Sequence, residues 1–188
     1  MDKLEILLKK AKDFHGEVCP GIALGTRIAK AGIEELGMDP LERNRDLVVF
    51  VEVDRCAADA LQAISGCSMG RRTLKFRDYG KFGATFLDLS SKKAVRVSAI
   101  NRPPKKDIKP GEVPNIADEI LKTPDKELFK IQKVQVNLPK EDFPGPPSSR
   151  KTCHICGEGI MDYREIIVDN KILCKACADG AYYTVIED

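Results

Sequence analysis

LVVFVEVDRCAADALQAISG, Leu47 to Gly66, decides the fold class. LVVFVEV is a continuous, mostly β-branched apolar run, short enough for a buried strand rather than a helix. RCAADALQAIS then changes period and reads as a short helix closed by Gly66. Upstream, Leu4, Leu7, Leu8, Ala11 and Phe14 recur at helical spacing, which predicts an amphipathic helix over 3–14. A second helix is expected from Gly21 to Leu36, with Pro20 suited to its first turn and Gly37 to its end. Downstream come strand-like stretches at Thr73–Arg77, Phe82–Leu89 and Ala94–Ile100. Ser90, Ser91 and two lysines supply a hairpin turn between the last two. Arg102 to Pro114 holds four prolines and four basic residues and reads as a basic loop. PNIADEILK begins a helix, LFKIQ continues helical, and KVQVNL is the last strand. Helix, helix, strand, helix, then mostly strands is α+β with a mixed sheet, not an alternating βα repeat.

PKEDFPGPPSSRK, Pro139 to Lys151, reads as a stiff linker unlikely to carry ladder hydrogen bonds. It divides a first domain, 1–138, from a piece at 152–188 too short to build a self-sufficient core. That piece carries its own staple. Cys153 and Cys156 form one CxxC pair, Cys174 and Cys177 another, with 17 residues between them. Four thiolates suit tetrahedral, structural zinc. REIIV and KILC flank Asp169-Asn170, a two-residue hairpin turn, and KACADGAYY can start a helix. Knuckle, hairpin, helix is the order of a treble-clef zinc finger. His154 lies between the first two cysteines, where it could compete as a ligand, and reads as a bystander on the knuckle.

The whole chain has 188 residues, 43% hydrophobic and 32% charged. Its 31 basic residues nearly balance 29 acidic ones, so a bulk nucleic-acid or membrane-surface binder is not expected. Trp is absent and aromatics total 6%, which argues against a base-stacking platform. MDKLEILLKKAKDF is too broken by lysine for a signal peptide, and no apolar run reaches transmembrane length. A cytoplasmic protein is expected. Seven cysteines in a reducing compartment point to metal ligation or thiol chemistry before disulfides.

The remaining chemistry gathers in the first domain. FHGEVCPG places His15, Glu17 and Cys19 together, and VEVDRCAADALQAISGCSMGRR contributes Asp54, Cys56, Asp59 and Cys67. Imidazole and thiolate are preferred ligands of zinc and similar cations, and carboxylates can complete the shell. Either of Cys56 and Cys67, taken alone, would read as a small buried hydrophobe. His15, Cys19, Cys56 and Cys67 are the candidate second metal site, for zinc or another transition metal. Cys19, at a helix start that favours a thiolate, is the candidate reactive thiol; Asp59 and His15 complete the catalytic candidates, with Asp54 as a further supporting or acid/base group. GCSMGRRT lacks nucleotide P-loop spacing, but its glycines with Arg71 and Arg72 suit a smaller anion.

FHGEVCPGIALGTR resembles the FHGHxCPGxxxGxR motif of the FmdE family, named for formylmethanofuran dehydrogenase. VDRCAADALQAISGCSMGRRTL, followed by RDYGKFGATF, is similar to that family's second signature. The resemblance implies a thioredoxin-like α+β core with a mixed five-stranded sheet, a homodimer, and a metal-binding active site built from the histidine and cysteines of both signatures. It also implies association with molybdenum or tungsten formylmethanofuran dehydrogenase and one-carbon metabolism, as in methanogenesis. Glu17 stands where the family motif has its second histidine, so an oxygen ligand would have to replace an imidazole there. The expected function is a metal-binding accessory or redox component; the alternative is a non-catalytic zinc-finger binding or metal-sensing protein.

Overall fold

A computed structural model describes residues 1–100 and 116–186. They form two compact units, Met1–Val136 and Asn137–Asp188. The basic loop Arg102–Pro114 lies outside the described residues.

The first unit opens with α1 (Lys3–His15). Asp2 accepts from the Glu5 amide at 2.8 Å and Glu5 accepts from the Asp2 amide at 2.9 Å, a reciprocal cap that fixes where the helix begins. Next come α2 (Pro20–Glu35), β1 (Leu47–Val51) and α3 (Cys56–Ser65). All five residues of β1 are buried, as its unbroken apolar run requires. Strands β2 (Leu74–Phe76), β3 (Gly83–Asp88) and β4 (Ala94–Ala99) follow, then α4 (Ile116–Lys122), α5 (Asp125–Leu128) and β5 (Phe129–Val134). The sheet is mixed and five-stranded, in the order β2-β1-β3-β4-β5. Only β1 and β2 are parallel, with Val49 opposite Leu74; the remaining pairs are antiparallel. Helix α2 lies against the sheet at Phe86, where a Cβ on Gly32 would sit 2.2 Å from the ring. Leu7, Ile22, Ile28, Val49, Phe86 and Val97 belong to the common core. Among the described residues no helix is long and apolar enough to cross a membrane.

The last strand differs from expectation: it runs over Phe129–Val134, and residues 135–138 of KVQVNL lie outside it. FKIQ is not helical: helix α5 stops at Leu128, and Phe129 begins the edge strand β5. Ala99 pairs with Phe129 and Val97 with Ile131, so partnership with β4 overrides the weak helical pattern.

The second unit holds β6 (Arg150–Thr152), β7 (Gly159–Met161), β8 (Ile166–Val168), β9 (Lys171–Leu173) and α6 (Lys175–Asp179). β6 pairs with β7 and β8 with β9, both antiparallel. Asp169 and Asn170 have φ of 48° and 60°, the left-handed pair a two-residue hairpin needs. The end of the expected linker is not free chain. Arg150 and Lys151 join the β6–β7 ladder, and the Ser148 amide donates to the buried Asp162 carboxylate at 2.9 Å. Beyond Pro147 every residue has an amide to donate, so nothing bars this stretch from a ladder.

Candidate metal centres

His15, Cys19 and Cys56 are brought together by three helix ends. Helix α1 stops at His15 because Gly16 takes φ +106°, a conformation glycine adopts freely. Cys19 is the N-cap of α2, and its Sγ accepts the Ile22 amide at 3.4 Å. Cys56 is the first residue of α3, which starts after the short connection 52–55 from the end of β1. One ligand atom from each of the three lies within 4.8 Å of the others, and all three are half-buried. Gly21 permits this: a Cβ there would lie 2.9 Å from the Cys56 Cβ and 3.6 Å from the Cys19 Sγ. Gly25, one turn on, would meet the Ala57 carbonyl at 2.6 Å, so both glycines let α2 lie close on α3.

Asp59 sits three residues after Cys56, on the same face of α3. Its Oδ2 lies 2.7 Å from His15 Nδ1. That contact occupies one ring nitrogen and leaves Nε2 as the available lone pair, the usual arrangement of a carboxylate behind a metal-binding histidine. The Cys19 sulfur, and then burial, push the Cys56 thiol up. A cleft of about 500 Å³ opens beside the cluster, with His15, Cys56 and Asp59 in its wall together with Asp54, Lys75 and Phe76.

Cys67 does not join this group. It is 3% exposed, its Sγ donates to the Leu47 carbonyl at 3.3 Å, and burial pushes its thiol up. Helix α3 starts at the C-terminal end of β1, and its ten residues carry the chain about 15 Å along the axis. Gly66, at φ +68°, then turns it towards Leu47 at the opposite end of the strand. Cys67 is a core cysteine. Glu17, which stands where the motif has its second histidine, is exposed and lies outside the cluster. The GCSMGRRT turn spends its amides internally: Ser68 donates to Thr73 Oγ1, Arg72 to the Met69 carbonyl and Thr73 to the Ser68 carbonyl. Arg27, the arginine of the first motif, is structural. Its guanidinium donates to the carbonyls of Ile120, Leu121 and Thr123 and to Asp125, satisfying the C-terminal end of α4. Sequence reasoning missed Met69, Lys75 and Phe76 as cleft residues. No local signal marks Lys75 and Phe76, because the edge position of β2 beside β1 is what brings them there; Met69 lies in the turn that leads into that strand.

In the second unit Cys153, Cys156, Cys174 and Cys177 offer sulfurs all within 4.8 Å of one another. Cys153 follows β6, and Gly157 at φ +76° closes the knuckle by donating to the Cys153 carbonyl at 3.1 Å. Cys174 caps α6, accepting from the Cys177 amide at 3.4 Å, and its own amide donates to Cys153 Sγ at 3.3 Å. The Cys156 and Cys174 amides hold the Cys153 thiol down at about 6, while the Cys174 sulfur and burial drive Cys177 up to about 12. Four crowded sulfurs cannot all be thiolates without a cation among them. His154 is exposed and outside the group; its amide donates to the Ile172 carbonyl at 2.8 Å.

A mixed-sheet α+β unit bearing a His/Cys cluster, followed by a four-cysteine finger, is the class of protein these features define. Residues 14–130 match the family model FmdE, described as "Molybdenum formylmethanofuran dehydrogenase operon", and the chain belongs to that family. Residues 147–183 match the prokaryotic dksA/traR C4-type zinc finger, which makes the second unit a zinc-finger module. A curated relative, the "Probable S-adenosyl-L-methionine-binding protein" of Archaeoglobus fulgidus, is 31% identical over 98% of this chain. The chain spans 55% of that relative's length. The crystal structure of a "tungsten formylmethanofuran dehydrogenase subunit e (fmde)-like protein" from Syntrophus aciditrophicus superposes with a TM-score of 0.65 at 20% identity, covering 96% of this chain and 95% of that one. At that identity the likeness speaks for the fold alone.

Proposed function

We propose that the first unit holds a zinc-like transition metal on His15, Cys19 and Cys56, and that the chain is an accessory or redox component serving a molybdenum or tungsten formylmethanofuran dehydrogenase in one-carbon metabolism. The convergence of one imidazole and two sulfurs, with Asp59 behind the imidazole, carries the reading. The donor set fits: nitrogen and thiolate ligands suit a borderline-soft, four-coordinate cation. A metal bound there would supply a Lewis-acidic position open to a fourth ligand, the feature that separates catalytic from structural zinc sites. The chain's own residues do the rest. Asp59 fixes the orientation of the His15 ring, and the α2 amide at Ile22 donates to the Cys19 sulfur. Lys75, Asp54 and Phe76 give the cleft cationic, anionic and apolar wall against which a small molecule can be oriented. A pure metal sensor is better served by a closed shell of four protein ligands, and the described residues supply three. The proposed assembly is a homodimer docking on the larger enzyme. Cobalt substitution tests the site: with the finger already filled by zinc, added cobalt should give a thiolate charge-transfer band that is lost in Cys19→Ser and Cys56→Ser. An unchanged band in both variants would remove the reading.

A second reading starts from the name of the Archaeoglobus fulgidus relative. The cleft, at about 500 Å³, falls within the range of small-molecule sites. Met69 and Phe76 beside Asp54 and Asp59 suit a ligand with an aromatic part and positive charge, as S-adenosyl-L-methionine has. Calorimetric titration with that compound decides it: saturable heat abolished by Asp54→Ala supports the reading, and no heat dismisses it.

A further inference from the structure

We infer that Cys19 and Cys56 also work as an exchangeable dithiol that reduces small disulfides admitted through the cleft. The inference takes up the same three residues as the proposed metal site. The two sulfurs lie within 4.8 Å of each other, one at the start of α2 and one at the start of α3. Both border the space that a side chain on Gly21 would fill: a Cβ there would lie 2.9 Å from the Cys56 Cβ and 3.6 Å from the Cys19 Sγ. A disulfide needs two Cβ atoms about 3.8 Å apart, so sulfurs within 4.8 Å of each other have only a short approach left to make. Cys56 lies in the cleft wall, where a small molecule can reach it, and the half-buried Cys19 sulfur lies within 4.8 Å of it. Cys67 offers the contrast: it is enclosed in the core and has neither a partner thiol nor access.

The exchange balances within the pair and the substrate. The Cys56 sulfur attacks one sulfur of the incoming disulfide, that S–S bond breaks, and the first thiol leaves with one proton. Cys19 then attacks the mixed disulfide on Cys56. A bond forms between Cys19 and Cys56, and the second thiol leaves with the second proton. Two thiols of the protein are oxidised and one disulfide is reduced. Since the same sulfur lone pairs bind a metal, the linked state and the metal-bound state exclude one another, and oxidation releases the metal.

The test uses the full chain with zinc confined to the finger and oxidised glutathione as the probe, followed by blocking of free thiols, digestion and mass spectrometry. The expected product is a peptide pair joined through Cys19 and Cys56, with Cys67 left alkylatable after unfolding. In Cys19→Ser the glutathione adduct on Cys56 should accumulate, because nothing resolves it. Separate glutathione adducts on Cys19 and Cys56 in the unsubstituted protein, or both thiols surviving unmodified, would overturn the inference. A parallel arm adds excess zinc. Suppression of the link supports both the dithiol and the metal reading. A link that forms at the same rate with zinc present would refute the metal reading and leave the dithiol standing.

Discussion

Gly21 is the residue on which the first site turns. In an ordinary helix, replacing glycine with alanine gains up to about 1 kcal/mol. Here the added Cβ would meet the Cys56 Cβ at 2.9 Å, and overpacking of that kind costs about 1–3 kcal/mol, so the cost wins. Gly21→Ala is therefore expected to lower the midpoint of chemical denaturation and to weaken zinc binding at the first site together. An unchanged affinity would show that the sulfurs do not depend on this approach. Asp59 acts through His15. Asp59→Asn should reduce first-site zinc affinity about 10- to 100-fold, read by competition with a chromophoric chelator, while leaving the finger's zinc in place. Much of this was legible in the sequence, because FHGEVCPG puts a helix end, a helix start and two ligands in one short turn. Cys67 was not. GC reads the same whether its strand end faces the site or the core, and only the length of α3 decides.

At the scale of elements, the β3–β4 hairpin has its own pH dependence. Burial pushes the Asp88 carboxyl up, but the hydroxyls and amides of Ser91 and Ser90 donate to it and win, leaving it below the ordinary carboxylate range. A carboxyl depressed in the folded state stabilises above its unfolded value of about 3.9 and loses that contribution as pH falls through the folded value. Asp88→Asn should thus be less stable than the parent at neutral pH, with the gap closing under acid. A gap constant from neutral to strongly acid pH would contradict the assignment. Helices α1 to α3 and strand β1 could be read from periodicity and punctuation, since Asp2, Pro20 and Gly66 mark their ends by local chemistry. Phe129 to Val134 could not. The apolar–polar alternation of Phe129 to Gln132 suits an edge strand, yet only β4, some thirty residues earlier in sequence, supplies the hydrogen bonds that make it one. Lys75 and Phe76 failed to show for the same non-local reason.

At the scale of the whole molecule, the two units are stabilised by different means. The first has a continuous apolar core from α1 to β5. The described part of the second buries only Cys153, Ile160 and Leu173 as a hydrophobic cluster, two of them aliphatic. Structural zinc in such modules supplies roughly 10 kcal/mol or more, which a cluster of that size cannot replace. Cys174→Ala should release the finger's zinc and open residues 152–188 to protease while residues 1–136 resist digestion. Resistance of both would mean the finger is held by something other than its metal. The central claim is that a second, three-ligand site exists in the first unit. Metal content per chain, measured by plasma emission on protein purified without chelators, tests it most directly. The account predicts two zinc equivalents in the parent chain, with Cys56→Ser and Cys174→Ala each retaining one, lost from different units. A single equivalent in the parent, kept in full by Cys56→Ser and abolished by Cys174→Ala, would contradict it.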